Sequence, residues 1–120
     1  MAERMDTKTE VAEAISTGVL HDAAVEEMDL RGLTWDLERV SDLCFRHVEL
    51  GETAFRVGLW ERWRFEGAAL RGARFEGSEL REGKVESSSL IESRWTGSRL
   101  KSVRFQNTQL MNSDFSNTTL

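Results

Sequence analysis

Cys44 and His47 have the Cys-x-x-His spacing of half a zinc site. A closed tetrahedral site needs two more ligands, and the other histidine, His21, lies far off in sequence. Ser87, Ser88 and Ser89 make a run of hydroxyls, yet no His and Asp stand nearby to activate a nucleophile. Phosphate-cradling loops of the GxxxxGK[ST] or GxGxxG type are absent. Carboxylates are plentiful, at 21 Asp plus Glu, but nothing in their spacing gathers a pair into a cleft. The expectation is therefore no catalytic residue, no metal, no cofactor and no enzyme.

What remains is charge in a pattern. Arg64, Lys84 and Arg104 recur at intervals of twenty residues, and so do Arg74 and Arg94. Glu66 and Glu86 follow the first set two residues on, and Glu76 follows the second. Such an arrangement forms crossed ion pairs on a solvated face or serves recognition. It does not make or break bonds.

The elements that carry these charges repeat every fifth residue. From Leu20 through Leu30, Phe45, Trp60, Phe75, Leu90 and Phe105 to Leu120, all 21 positions at that interval are large and apolar. Neither a helix of period 3.6 nor a strand of period 2 has this spacing. Two residues before each centre, from Ala68 onward, the side chains are small: Ala68, Ala73, Ser78, Gly83, Ser88 and so on to Thr118. In extended chain, residues two apart share a side, so each unit turns one large and one small side chain inward. Two residues after the centre come Gly67, Gly72, Gly77, Gly97, Asn107, Asn112 and Asn117, types that tolerate the left-handed conformation of a tight corner.

Four sides and four corners close one coil of twenty residues, with coils stacked at strand spacing of about 4.8 Å. Residues twenty apart do match. Leu30, Leu50, Leu70, Leu90 and Leu110 form one column, and Trp35, Phe55, Phe75, Trp95 and Phe115 the opposite one. Residues 1–19 differ. Thr7 and Glu10 suit a capping box, with Val11, Ala12 and Ile15 on one face and Gly18 as a stop, so a short helix capping the first coil is expected. The resulting organisation is a cap over 1–19 and an all-β solenoid of about four to five coils over 20–120, irregular across 20–40 and regular across 41–120.

The repeat resembles that of the pentapeptide-repeat family, whose unit is roughly A-(D/N)-(L/F)-X-X with the large residue at the centre. The resemblance is good over residues 41–120 and loose over 20–40. It implies a right-handed quadrilateral β-helix and a non-enzymatic, rigid protein–protein interaction scaffold in a bacterium. A second implied function is a DNA mimic that binds type II topoisomerase (DNA gyrase) and confers quinolone resistance. A third is an effector or a component associated with a secretion system. Unlike the family pattern, few Asp or Asn residues stand before the centres here; Arg, Glu, Ala and Ser stand there instead, which weighs against an acidic face.

Charge bears on that choice. The chain's net −5 divides into 13 acids against 6 bases in residues 1–60 and 8 acids against 10 bases in residues 61–120. A phosphate-mimicking rod requires strong negative charge along its length, which the second half lacks. Interleaved Glu makes direct nucleic-acid binding an unfavoured expectation too. With 39% hydrophobic and 31% charged residues, no long apolar run and no signal-peptide core, a folded chain without a membrane span is expected. The single cysteine suits a reducing compartment, read as the cytoplasm.

Candidate interaction residues are Trp60, Trp63, Arg64, Arg74, Lys84, Arg94, Arg104, Phe115 and Leu120. Trp63 falls in the small inward column, with Gly83 one coil later able to make room; it either repacks locally or, with Trp60, is presented to a partner. Glu38, in the equivalent column, points to distortion of the first coil. Phe105, Leu110, Phe115 and Leu120 are expected in a last coil with open edges, covered by further chain, another protein or a second copy in a homodimer.

Overall fold

In the computed structural model, which describes residues 3–33 and 35–119, the five-residue period winds into a β-solenoid. Seven strands form one parallel sheet: β1 Glu3–Met5, β2 Val19–Glu26, β3 Trp35–Arg46, β4 Phe55–Glu66, β5 Glu79–Glu86, β6 Arg99–Lys101 and β7 Arg104–Gln106. Each pairs with its neighbour at an offset of twenty, as in Trp60↔Leu80 and Leu80↔Leu100. Isolated bridges such as Ala69↔Ser89 and Arg74↔Arg94 keep that register where strands are not continuous.

Corners recur with the period. Outside the third side of the coils at 35–38 and 55–58, the residue two after each centre has positive φ, from Asp22 (51°) to Asn117 (56°). Away from those two places the chain therefore bends four times per turn. The first side carries Val25, Phe45, Phe65, Val85 and Phe105; the second Leu30 to Leu110; the third Trp35 to Phe115; the fourth Leu20, Val40, Trp60, Leu80 and Leu100. Every centre from Leu20 to Trp95 is buried, while Phe105, Leu110 and Phe115 are half-buried. The aromatic column of the third side runs along the axis with ring centroids 5.4, 4.8, 4.2 and 5.7 Å apart from Trp35 to Phe115. The first pair is tilted and the other three are stacked, and such ring contacts add to the burial of area.

The small inward residues do more than fit. Thr108, Ser113 and Thr118 donate their hydroxyls to the carbonyls of Val85 (3.2 Å), Leu90 (2.8 Å) and Trp95 (2.8 Å), and Ser98 does the same for Phe75. Each donor lies 23 residues after its acceptor, so these bonds tie one coil to the next. The Leu90 and Trp95 carbonyls also accept the N–H groups of Ser93 (3.1 Å) and Ser98 (3.0 Å), so there the hydroxyl adds a second bond to a buried acceptor.

Helix α1 spans Lys8–Ser16 and buries Val11 and Ile15 against the solenoid. Thr7 caps it by accepting from the Glu10 N–H at 3.1 Å, and its hydroxyl donates to the Glu10 carboxylate at 3.2 Å. Gly18, with φ 84°, turns the chain out of the helix into β2. Ahead of the helix, β1 pairs Met5 with Val25, so the register of centres already includes Met5. The sequence reading did not foresee this strand.

One corner departs from the pattern. Leu37 and Val57 are buried and lack positive φ, Glu38 is exposed, and its N–H donates to the Gly18 carbonyl at 2.9 Å. Here the residue expected at the corner turns inward in place of the small one after it. β3 and β4 then run twelve residues each, with one left-handed residue apiece, Asp42 (φ 53°) and Arg62 (φ 51°). The distortion expected from Glu38 is real and extends one coil further, to Val57 and Gly58.

Candidate interaction surface

The core fills the solenoid, so whatever the protein recognises meets its outward residues. Trp60 and Trp63 are not among them: they are 0% and 3% exposed. Trp63 lies edge-on to Trp60 at 5.8 Å, tilts against Phe65 at 5.3 Å and overhangs Gly83, its register partner. A Cβ on Gly83 would come within 2.0 Å of the Trp63 ring. Local repacking, and not presentation to a partner, is what the geometry gives for both indoles.

On the first side, the cation ladder is Arg64, Lys84 and Arg104, aligned through Arg64↔Lys84 and Lys84↔Arg104. Arg64 reaches Glu86 at 3.2 Å and Glu66 at 3.7 Å, and Lys84 bonds Glu86. Glu86 is held below the usual carboxylate range, chiefly by the Lys84 hydrogen bond and then by the charges of Arg64 and Lys84. The crossed pairs read from the sequence thus form around Arg64 and Lys84. Arg104, whose following partner position is Gln106, makes no ion pair among the described residues.

The remaining candidates are distributed widely. Arg74 and Arg94 stack on the third side through their bridge, are exposed, and make no ion pair among the described residues. Phe115 is half-buried under Trp95 and, with Leu100, Val103, Phe105 and Leu110, lines an apolar concavity. Leu120 lies outside the described residues. The ring contacts of Trp60 and Trp63 are with each other and with Phe55, Phe65 and Phe75, so Phe115 is not joined directly to that pair.

The groups first considered for chemistry also stand apart. Cys44 is half-buried between Arg46 and Arg64, with burial pushing its thiol pKa up. His47 occupies a corner at φ 53°, with its ring 2.6 Å from where a Cβ of Gly67 would be. Ser87 is a corner, Ser88 is inward and donates to the Glu86 carbonyl at 2.8 Å, and Ser89 is in a bridge with Gln109. Among the described residues, no three His, Cys, Asp or Glu side chains cluster closely enough to hold a metal, and no helix is long and apolar enough to cross a membrane.

Sequence reasoning missed the paired surface around the corner between the fourth side and the first. Arg62 bonds Asp42 at 2.7 Å, Arg39 bonds Glu61 at 2.8 Å and Arg81 bonds Glu79 at 2.7 Å. The signal was available as opposite charges at offsets of twenty, twenty-two and two.

The family model described as "Pentapeptide repeats (8 copies)" matches residues 84–117. No curated protein matches the sequence. Among solved structures, a pentapeptide repeat protein (Rfr23) from the cyanobacterium Cyanothece 51142 is similar at 14% identity and a TM-score of 0.40, over 94% of this chain and 99% of that one. Two trypsin-treated forms of QnrB1, a plasmid-mediated fluoroquinolone resistance protein, are also similar. One has 20% identity and a TM-score of 0.28, over 83% of this chain and 66% of that one. The other has 18% identity and a TM-score of 0.27, over 96% and 71%.

Proposed function

We propose that this chain, whose residues 84–117 match the family model of pentapeptide repeats, is a non-enzymatic pentapeptide-repeat scaffold that binds another protein through its flat outward sides. The observation that carries this is the filled core: centres from Leu20 to Trp95 are buried, so recognition falls to a rigid lattice of outward side chains. Side chains held at fixed spacing by a sheet lose little freedom on binding, which favours recognition of a complementary surface. Helix α1 serves this by covering the first coil with Val11 and Ile15.

A photo-crosslinking amino acid placed at outward positions on each side in turn, in the native cell, tests the proposal. One partner protein captured predominantly from one side supports it. Capture spread evenly over all four sides, or none at all, removes it.

Topoisomerase binding by duplex mimicry ranks below this reading. Residues 61–120 carry 10 bases against 8 acids, and Arg74, Arg94 and Arg104 stand exposed where a mimic requires negative charge. Protection of gyrase from a fluoroquinolone in a supercoiling assay would reverse the order.

A further inference from the structure

We infer that the corner at Ser102, between the fourth side and the first, docks a short acidic segment of a partner protein in extended conformation. The inference rests on the scaffold reading and names the place and the chemistry of its contact. Arg99 and Lys101 point outward on either side of buried Leu100, and Arg104 follows the corner, where Ser102 has φ 57°.

The same corner is electrostatically closed in the preceding coils. Arg62 is held by Asp42 at 2.7 Å, Arg64 by Glu86 at 3.2 Å, Arg81 by Glu79 at 2.7 Å, and Lys84 by Glu86. Twenty residues on, the carboxylates disappear and the cations stay: Glu79 gives way to Arg99, Glu82 to Ser102 and Glu86 to Gln106. Arg99, Lys101 and Arg104 make no ion pair within 4.0 Å among the described residues. The nearest acids of the coil before are engaged elsewhere, Glu79 with Arg81 (2.7 Å), Glu82 with Arg62 (4.0 Å) and Glu86 with Lys84.

Three exposed cations at one bend, with their counter-charges removed, hold a local positive potential that complements an anionic partner. Arg99 and Lys101 lie on one side of a strand, about 6.7 Å apart along it, the spacing of alternate side chains in an extended peptide. Carboxylates at alternate positions of such a peptide match both, and a further one reaches Arg104 around the bend. A nucleic acid fits less well. Its phosphates continue past the corner toward residues 1–60, where 13 acids face 6 bases, whereas a short acidic segment meets the bend alone.

The test is an amide-resolved NMR titration at low salt with a decapeptide of alternating Glu and Thr, beside the matching Lys–Thr peptide and an oligothymidylate. The expected result is saturable shifts at residues 99–106 with the acidic peptide alone. Affinity should be about tenfold weaker in Arg99→Gln/Lys101→Gln and weaker again in Arg99→Glu/Lys101→Glu. Arg31→Gln, which removes a cation already held by Asp29 at 2.7 Å on another side, should leave it unchanged. Because the Gln pair keeps the outward side chains polar and the spectrum reports folding, loss of binding is separable from loss of structure. No shift, shifts spread over every arginine-bearing side, full affinity in the Gln variant, or equal binding of oligothymidylate each overturns the inference. A partner crosslinked on another side leaves the scaffold reading standing without this one; peptide binding here with no crosslinked partner anywhere removes the scaffold reading instead.

Discussion

Gly83→Ala should destabilise this protein, although the same change in extended chain is ordinarily favourable. Gly83 lies in β5 without positive φ, so alanine suits its backbone and would stabilise by about 0.4–1 kcal/mol through the unfolded state. What opposes it is Trp63, because the new Cβ would sit 2.0, 2.1 and 2.6 Å from Cε2, Cζ2 and Nε1 of the indole. That ring is 3% exposed and wedged against Trp60 and Phe65, so it has no free direction of retreat. Overpacking of this kind costs about 1–3 kcal/mol, which outweighs the backbone gain. The sign should reverse once the indole is gone. In a Trp63→Val background, where the residue matches Val103 of the same column, Gly83→Ala should stabilise by roughly 0.5 kcal/mol. Urea unfolding followed by far-ultraviolet circular dichroism, which does not rely on the mutated indole, completes the cycle of four proteins. The coupling expected is about 1–3 kcal/mol. If Gly83→Ala has the same effect in both backgrounds, the two residues are not packed as described and the account of this column fails.

Ser98→Ala should cost about 1–2 kcal/mol in the same assay, because it leaves the buried Phe75 carbonyl without its hydroxyl donor; no loss would show that the hydroxyl column is not cohesive. Acid should weaken the fold in a defined window. Asp29 is lowered to about 2, first by its hydrogen bonds from Arg31, while Asp42 and Asp114 are lowered by hydrogen bonds from Arg62 and Ser116. These groups bind fewer protons folded than unfolded, so their stabilisation is complete above the unfolded carboxylate range near 4. It is then lost as pH falls through the folded values, Asp29's last. A urea midpoint that stays constant from pH 5 down to about 2 would contradict this. Cys44, whose thiol is pushed up by burial, should alkylate several-fold more slowly at neutral pH than a free cysteine in a short peptide; equal rates would place it in a wetter site than the one described.

Much of this fold is legible in the sequence because a stacked coil imposes the same demand every twenty residues. Large centres such as Leu70 and Phe75 have to be buried, and Gly72 and Asn112 have to bend the chain, so composition tracks geometry directly. Legibility ends where two neighbouring residues compete for one place. At 37–38 and 57–58 the choice lay between turning Leu37 or Glu38, and Val57 or Gly58, toward the core; the apolar member won each time because burial of a carboxylate or of no side chain at all is the poorer alternative. Apolar Leu37 and Val57, where later coils have Gly77 and Gly97, were the visible signs. The interaction candidates were less legible. For the tryptophans, local repacking is the favoured reading over presentation to a partner, but the overhang on Gly83 that decides it is not visible in sequence, and which arginines stand free depends on the reach of side chains across coils. β1 escaped notice because three residues carry too little pattern.

The exceptional corner at Leu37 and Val57 also settles a matter of alignment. A surface that repeated faultlessly would let a bound molecule slip by one coil with little change in contact, as on a ruler without numerals. Two successive rows bent otherwise than the rest mark an origin on the third and fourth sides, and from it distance along the axis is defined. Whatever lies across those sides meets one frame, not several equivalent ones.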